Sequence, residues 1–244
     1  MEKTLAIGMT VGLRKNKGNT YNYCERSIRS LREGGFKQTL YAFTEPGAQI
    51  HIPGHSSFKA EMIQHEKKKG CFRNFRFGLK WLLDHTEADW LLMLQDDAVW
   101  RSDGWEVIRQ TMEAGEHDHV GMLSPYTSKA MVFQGDKQKF AKKKQEGWRK
   151  CHFHNKAFWG AVAMLFPRES ARKLEEESQR YRNHKHHRKL DVIVGNALRK
   201  ELQLEILVRV PSLVEHIGAW STLGRHKLRG NQWGRKGYHF KKEG

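Results

Sequence analysis

The stretch WLLMLQDDAVW, Trp90 to Trp100, decides the fold: an apolar run stops abruptly at two adjacent carboxylates, Asp96 and Asp97. Trp90, Leu91, Leu92, Met93 and Leu94 leave no polar face, so the segment suits a central strand covered on both sides, as in a parallel α/β sheet. Open sheets of that kind leave a crevice at the C-terminal ends of their strands. Asp96 and Asp97 are delivered there as the paired oxygen donors that Mg2+ and Mn2+ prefer. The pair also reads as a solvated turn, because Asp-Asp after a strand is often no more than that.

Toward the N-terminus, Phe72, Phe75, Leu79 and Leu82 recur at three and four residues from Gly70 onward, which predicts an amphipathic helix packing on the sheet and feeding the Trp90 strand. Arg73 and Arg76 fall on another face of it, either solvated or placed to meet a diphosphate. Glu45 to Lys69 carries Pro46, Gly47, Pro53, Gly54 and the run Lys67, Lys68, Lys69; it is loop-rich and its role is not readable. Leu5 to Val11 reads as the first strand. The basic loop GLRKNKGN follows, then a helix from about Asn19 with Asn19 as N-cap, then, past Gly34 and Gly35, a second strand from Thr39 to Phe43. Strand, helix, strand at this spacing begins a parallel α/β sheet. The loop between would hold a nucleotide's base or phosphates, or merely connect.

Toward the C-terminus, Asp103 and Glu106 have the spacing of a reciprocal helix cap, with Trp105, Ile108 and Met112 on the buried face behind it. Val120 to Leu123 is a short strand. From Thr127 to Lys156 the chain is polar and carries Lys137, Lys139, Lys142, Lys143, Lys144, Arg149 and Lys150, which predicts a mobile basic excursion too polar for the core. Cys151, His152 and His154 alternate as in a strand and lack the second cluster that a zinc site needs. Phe158 to Phe166 runs into an apolar strand, where Gly160 would let the backbone approach a ligand and Trp159 would stack on it, or both are core. Pro167 opens a helix. A histidine-rich turn then leads to a helix with Leu190, Val194, Ala197 and Leu198 on its apolar face, and Asp191 stands in its first turn, where the helix dipole favours a carboxylate. Ile206, Val208 and Val210 alternate along a last strand that Pro211 ends. The tail interleaves Trp233, Tyr238 and Phe240 with Arg235, Lys236, Lys241 and Lys242, which suits a nucleic-acid groove or a disordered basic tail.

A chain of 244 residues buries a sizeable core, so one globular domain over 1–224 with a basic tail over 225–244 is expected. No run approaches the roughly 20 apolar residues of a membrane span, and no leader pattern opens the chain; a soluble, cytoplasmic protein is expected. Cys24, Cys71 and Cys151 are odd in number and lack CxxC spacing, which argues against a disulfide framework or structural zinc. The net charge of +17 exceeds what solubility needs. It points to a polyanion, nucleic acid before an anionic membrane surface or acidic glycan, unless the protein is merely basic.

With its parts in this order the chain resembles the GT-A fold glycosyltransferases over roughly Leu5 to Gly224. The matching parts are the nucleotide-type first strand and helix, QDDAVW (similar to the family's Asp-any-Asp motif), WGAVAMLFPRESA, an aspartate opening a late helix, and PSLVEHIGAWSTLG. The resemblance implies an open, mostly parallel α/β sheet flanked by helices, with a Rossmann-like nucleotide-binding half and an acceptor half. It implies sugar transfer from a nucleotide sugar, a UDP-sugar favoured, with Asp97 and His216 holding Mn2+ or Mg2+. Thr10, Gln95, Asp96, Trp159 and Gly160 would line the donor site, Asp96 meeting the ribose or reaching the ion through water. Asp191 matches the general base of inverting members. Gln95 departs from the family pattern by putting an amide where the first carboxylate stands, which weakens the case for metal dependence.

Fold does not choose the acceptor, so charge has to. The leading expectation is a hydroxymethylated pyrimidine base in DNA, as for the base-modifying glycosyltransferases of bacterial viruses. The base would be extruded to reach Asp191, with Lys142, Lys143, Lys144, Arg235 and Lys236 holding phosphates. The alternatives are a transferase building surface polysaccharide or lipopolysaccharide at a membrane face, and a nucleic-acid-binding protein that keeps the fold without catalysis. Neither the sugar nor the oligomeric state is written in the sequence.

Overall fold

The computed structural model describes residues 2–12, 15–16, 19–20, 23–48, 50, 59–115, 118–127, 146–151, 158, 160–181 and 190–218. The first half comprises β1 (Leu5–Val11), β2 (Lys15–Asn16), β3 (Asn19–Thr20), α1 (Tyr23–Glu33), β4 (Leu40–Thr44), β5 (Ala60–Gln64), α2 (Cys71–His85) and β6 (Trp90–Gln95). Then come β7 (Ala98–Trp100), α3 (Gly104–Glu113), β8 (Val120–Ser124), β9 (Gly147–Lys150), β10 (Ala163–Pro167) and α4 (Arg168–Ser178). Last are α5 (Leu190–Asn196), which widens into a π-helical stretch over Ala197–Glu201, then β11 (Glu205–Val210) and β12 (Val214–His216). No helix among the described residues is long and apolar enough to cross a membrane.

Eight strands form one sheet in the order β5-β4-β1-β6-β10-β8-β11-β9. β1 is parallel to β4 and β6, β4 to β5, and β11 to β8, while β10 and β9 run against their neighbours. The sheet is therefore mostly parallel, and β6 sits at its centre. Its apolar run is explained by its two covered faces. Trp90, Leu92 and Leu94 join Ile28 and Leu31 of α1 and Ile108 and Met112 of α3, while Leu91 and Met93 join Phe72, Phe75, Leu79 and Leu82 of α2, Leu174 of α4 and Val194 of α5. A strand buried on one face would have alternated.

Close approach of α2 to the sheet depends on Gly78. A Cβ there would stand 2.5 Å from Phe43 Cδ2, so Gly78→Ala is expected to cost about 1–3 kcal/mol by overpacking.

Several local expectations are corrected. Asn19 is not a helix cap: Lys15 and Asn16 pair antiparallel with Thr20 and Asn19, and the helix begins only at Tyr23. Asp103 occupies the N-cap position of α3 without a side-chain cap bond, because Arg101 grips its carboxylate through Nε at 3.0 Å and Nη2 at 2.7 Å; Glu106 is taken by Arg109 and Gln110. The loop-rich stretch before α2 contains β5, an edge strand beside β4. Part of the basic excursion is sheet as well. Gly147–Lys150 pairs antiparallel with β11, Trp148 Nε1 donates to Thr111 Oγ1 at 2.8 Å, and Thr127 is buried with its hydroxyl on Arg209 O at 2.6 Å. An edge strand pairs only one side of its backbone, so a polar sequence with a single anchoring tryptophan suffices. Residues 128–145 and 152–157 lie outside the described residues. As expected, the segment ending at Phe166 runs into an apolar strand, which begins at Ala163 after a turn at Ala161 and Val162.

Candidate functional site

Where the parallel strands end, β6 delivers Gln95, Asp96 and Asp97 in a turn, and the chain doubles back as β7. β7 and β12 form a two-stranded antiparallel ribbon in which Ala98 faces His216. The ribbon is fixed by Ser27 Oγ donating to Ala98 O at 2.6 Å, by Trp100 N–H donating to Ser30 Oγ at 3.0 Å, and by Arg101 N–H donating to Leu213 O at 3.0 Å. Its register brings His216 Nε2 to 2.8 Å from Asp97 Oδ2 across 119 residues of sequence, and Ile217 N–H closes the corner on Asp97 O at 3.0 Å. Asp97 is 1% exposed and the His216 side chain 22%, so the carboxylate is recessed and the imidazole reaches toward solvent. The Tyr126 ring stands edge-on to the His216 ring, with centroids 6.4 Å apart.

The adjacent carboxylate serves another segment. Asp96, buried, accepts the Gly12 N–H through Oδ2 at 3.0 Å and so ties the exit of β1 to the end of β6. Thr10, one residue inside β1, turns its hydroxyl back onto Leu94 O at 3.1 Å. Gln95 N–H donates to Val162 O at 2.9 Å, which brings the turn at Ala161 and Val162, just after Gly160, to the same edge; its side-chain amide approaches Cys71 Sγ at 3.9 Å, at the first turn of α2. Gly160 is buried. Trp159, Lys142, Lys143, Lys144, Arg235 and Lys236 lie outside the described residues.

Asp191 stands in the first turn of α5, and its Oδ1 accepts the Val192 N–H at 3.0 Å. α5 and its π-helical continuation lead into β11, which runs parallel to β8. Gly195 lets α5 pack closely: a Cβ there would meet Phe158 Cβ at 2.5 Å. Arg76 is not available for a diphosphate. Its Nη2 pairs with Glu175 Oε1 at 3.0 Å between α2 and α4, both side chains being largely buried.

Three polar groups at the same edge escaped the sequence reading. Glu45, buried just past β4, accepts Lys69 N–H at 2.8 Å and Gly70 N–H at 2.7 Å, and so caps α2 from another segment. His65 Nε2 meets Asn74 Oδ1 at 2.9 Å, and Asn74 Nδ2 donates to Phe43 O at 2.9 Å. No periodicity marks such residues; a charged residue directly after a strand was the only available hint.

Asp97 and His216 offer one oxygen and one nitrogen donor in the same neighbourhood, a set that suits Mn2+ better than Mg2+. No group of three or more His, Cys, Asp or Glu side chains converges as a metal cage among the described residues. Two protein donors fit an ion that also takes oxygens from a bound ligand, and they would not make a closed structural site.

No protein-family model matches the chain, and no curated protein matches it. Among solved structures, a mannosyltransferase from Pyrobaculum calidifontis in complex with GDP-Man and Mn2+ is similar over 84% of this chain and 56% of its own, at 9% sequence identity and a TM-score of 0.45. The chain thus spans little more than half the length of that protein. A likeness of this degree assigns no role to any residue, and the chemistry has to come from the site's own atoms.

Proposed function

We propose that the chain transfers a sugar from a nucleotide-diphosphate sugar, assisted by a divalent cation that Asp97 and His216 would hold. The observation that carries this reading is the 2.8 Å contact between Asp97 Oδ2 and His216 Nε2 at the C-terminal edge of a mostly parallel sheet. Two donor groups distant in sequence are brought to the crevice where open α/β sheets bind ligands. When bound, the cation neutralises the charge that develops on the departing diphosphate.

The remaining steps belong to side chains. Asp96 fixes Gly12 and with it the exit of β1, against which the nucleotide would lie, while Gln95, Thr10, Gly160 and Trp159 border the donor. Asp191 acts as general base: the acceptor hydroxyl oxygen bonds to the anomeric carbon, its proton passes to Asp191, and the bond from that carbon to the diphosphate oxygen breaks. One displacement of this kind inverts the anomeric centre. A UDP-sugar is the proposed donor and Mn2+ or Mg2+ the proposed ion.

For the acceptor, the net charge of +17 supports DNA carrying a hydroxymethylated pyrimidine, with Lys142, Lys143, Lys144, Arg235 and Lys236 as phosphate contacts. The test incubates the chain with UDP-glucose and other nucleotide sugars, with and without Mn2+, against hydroxymethylated and plain duplex DNA. Metal-dependent transfer to the modified duplex alone is expected. Transfer to a lipid or sugar acceptor with no response to DNA would replace the acceptor, and no turnover of any nucleotide sugar would remove the enzymatic reading.

A further inference from the structure

The run Lys67, Lys68 and Lys69, with Arg73 in the first turn of α2, is an exposed cationic surface. All four side chains are exposed, and none forms an ion pair with another described residue. Some exposed helix cations elsewhere are answered on their own helices, Arg29 by Glu25, Lys80 by Asp84, Arg109 by Glu106 and Glu113, and Lys173 by Glu169, while Arg26 and Arg172 stand exposed as single cations without an ion pair among the described residues. In the interval from Glu66 to Arg73 there are four cations and one carboxylate, Glu66.

Three lysines before a helix N-terminus repel its partial charge, and the carboxylate that meets this terminus is Glu45, from beyond β4. A helix N-terminus carries partial positive charge and favours acids in its first turn, yet α2 has none there and is preceded by three lysines. The backbone beneath them is nevertheless held firmly, because the buried Glu45 carboxylate takes the N–H groups of Lys69 and Gly70. A fold that anchors mutually repelling cations on an internal carboxylate, with their side chains turned outward, presents them to something outside. The ledge also borders the candidate site: Cys71, two residues after Lys69, contacts Gln95, two residues before Asp97.

We propose that Lys67, Lys68, Lys69 and Arg73 form a ledge that holds the phosphodiester backbone of duplex DNA beside the Asp97–His216 site. This rests on the acceptor reading above and deepens it. Four exposed charges spread over seven residues match a row of phosphates, whereas a single recessed diphosphate would engage one or two of them.

The test is a salt titration of the full chain binding a fluorescent duplex, followed by anisotropy without donor or metal, so that it is read apart from transfer. Replacing Lys67, Lys68 and Lys69 together by Gln is expected to lower the slope of log affinity against log salt by about 2 to 3 units, about 0.9 per lost phosphate contact. Lys80→Gln, which removes a lysine already paired with Asp84, is expected to leave the slope unchanged. Thermal unfolding of the triple variant should match the wild type, since the side chains are exposed. A wild-type slope in the triple variant overturns the proposal. So does loss of UDP affinity with DNA binding intact, which would give the ledge to the donor, or binding to vesicles of anionic phospholipid with no duplex binding. If duplex binding responds as expected while no nucleotide sugar is turned over, the ledge stands and the proposed enzymatic reading falls.

Discussion

The Asp96 carboxylate accepts the backbone N–H of Gly12 at 3.0 Å, fastening the exit of β1 to the end of β6, while its neighbour Asp97 faces His216. Adjacent carboxylates in one turn thus have different work. Asp96→Asn keeps an oxygen for Gly12 and should keep both fold and donor KM near wild type; Asp96→Ala should raise the donor KM with Mn2+ affinity little changed. A matching loss of Mn2+ affinity in both variants, measured by titration calorimetry, would make Asp96 a ligand instead.

Asp97→Ala should lower transfer by about 100-fold or more, since it removes the buried donor of the ion that stabilises the leaving group. His216→Ala should weaken Mn2+ affinity by about 10–100-fold, with Asp97 and the diphosphate still in place. Steady-state rates as a function of Mn2+ separate the two. An unchanged metal titration in His216→Ala would leave that histidine as a latch for the β7–β12 ribbon.

For Asp191→Asn, donor binding should persist while kcat falls by about 10²–10⁴-fold, because the amide keeps an acceptor for the Val192 N–H but takes no proton. Nucleotide affinity and single-turnover transfer measure the two halves. Survival of activity would return Asp191 to a purely structural place in the first turn of α5.

Glu175→Gln should destabilise the protein by up to about 3 kcal/mol, because it leaves the Arg76 guanidinium largely buried without its counter-charge. Replacing both residues by Met should recover most of that loss, as paired burial of charge is often near neutral. Urea unfolding of the single and double variants checks it. Equal destabilisation in both would mean that the contact is packing alone.

Burial pushes the Cys151 thiol up to about 12, so at pH 8 only about one part in ten thousand is thiolate. Iodoacetamide should therefore label the half-buried Cys71 well before Cys151 in the native protein. Cys151 should become reactive on unfolding, when its thiol returns to an ordinary range near 8.5. Peptide mass analysis before and after urea reads this directly.

The architecture was legible because burial leaves its mark on sequence. Trp90 to Leu94 has no polar position because α1 and α3 cover one face and α2, α4 and α5 the other, while Ile206, Val208 and Val210 alternate because β11 is only partly covered. Elements held by pairing rather than burial left little trace: β5 and β9 are edge strands whose residues are largely polar or exposed, and their ladder bonds come from backbone that every residue carries. Caps failed for a related reason. Asp103 has the right spacing to cap α3, but Arg101 lies nearer as a charged partner, and α2 is capped by Glu45 from beyond a different strand.

By itself the sequence determined the sheet's centre, the helix that feeds it, and the delivery of Asp96 and Asp97 to its C-terminal edge. Tertiary structure alone decided what each carboxylate meets. The ribbon register that sets Ala98 opposite His216 gives Asp97 its imidazole, the nearness of β1 to β6 gives Asp96 the Gly12 amide, and the packing of α2 on α4 gives Arg76 to Glu175. Periodicity records which face of an element is buried, and that is a local property. A hydrogen-bond partner is fixed by where two distant segments are brought together, and a single sequence carries no local signal for that.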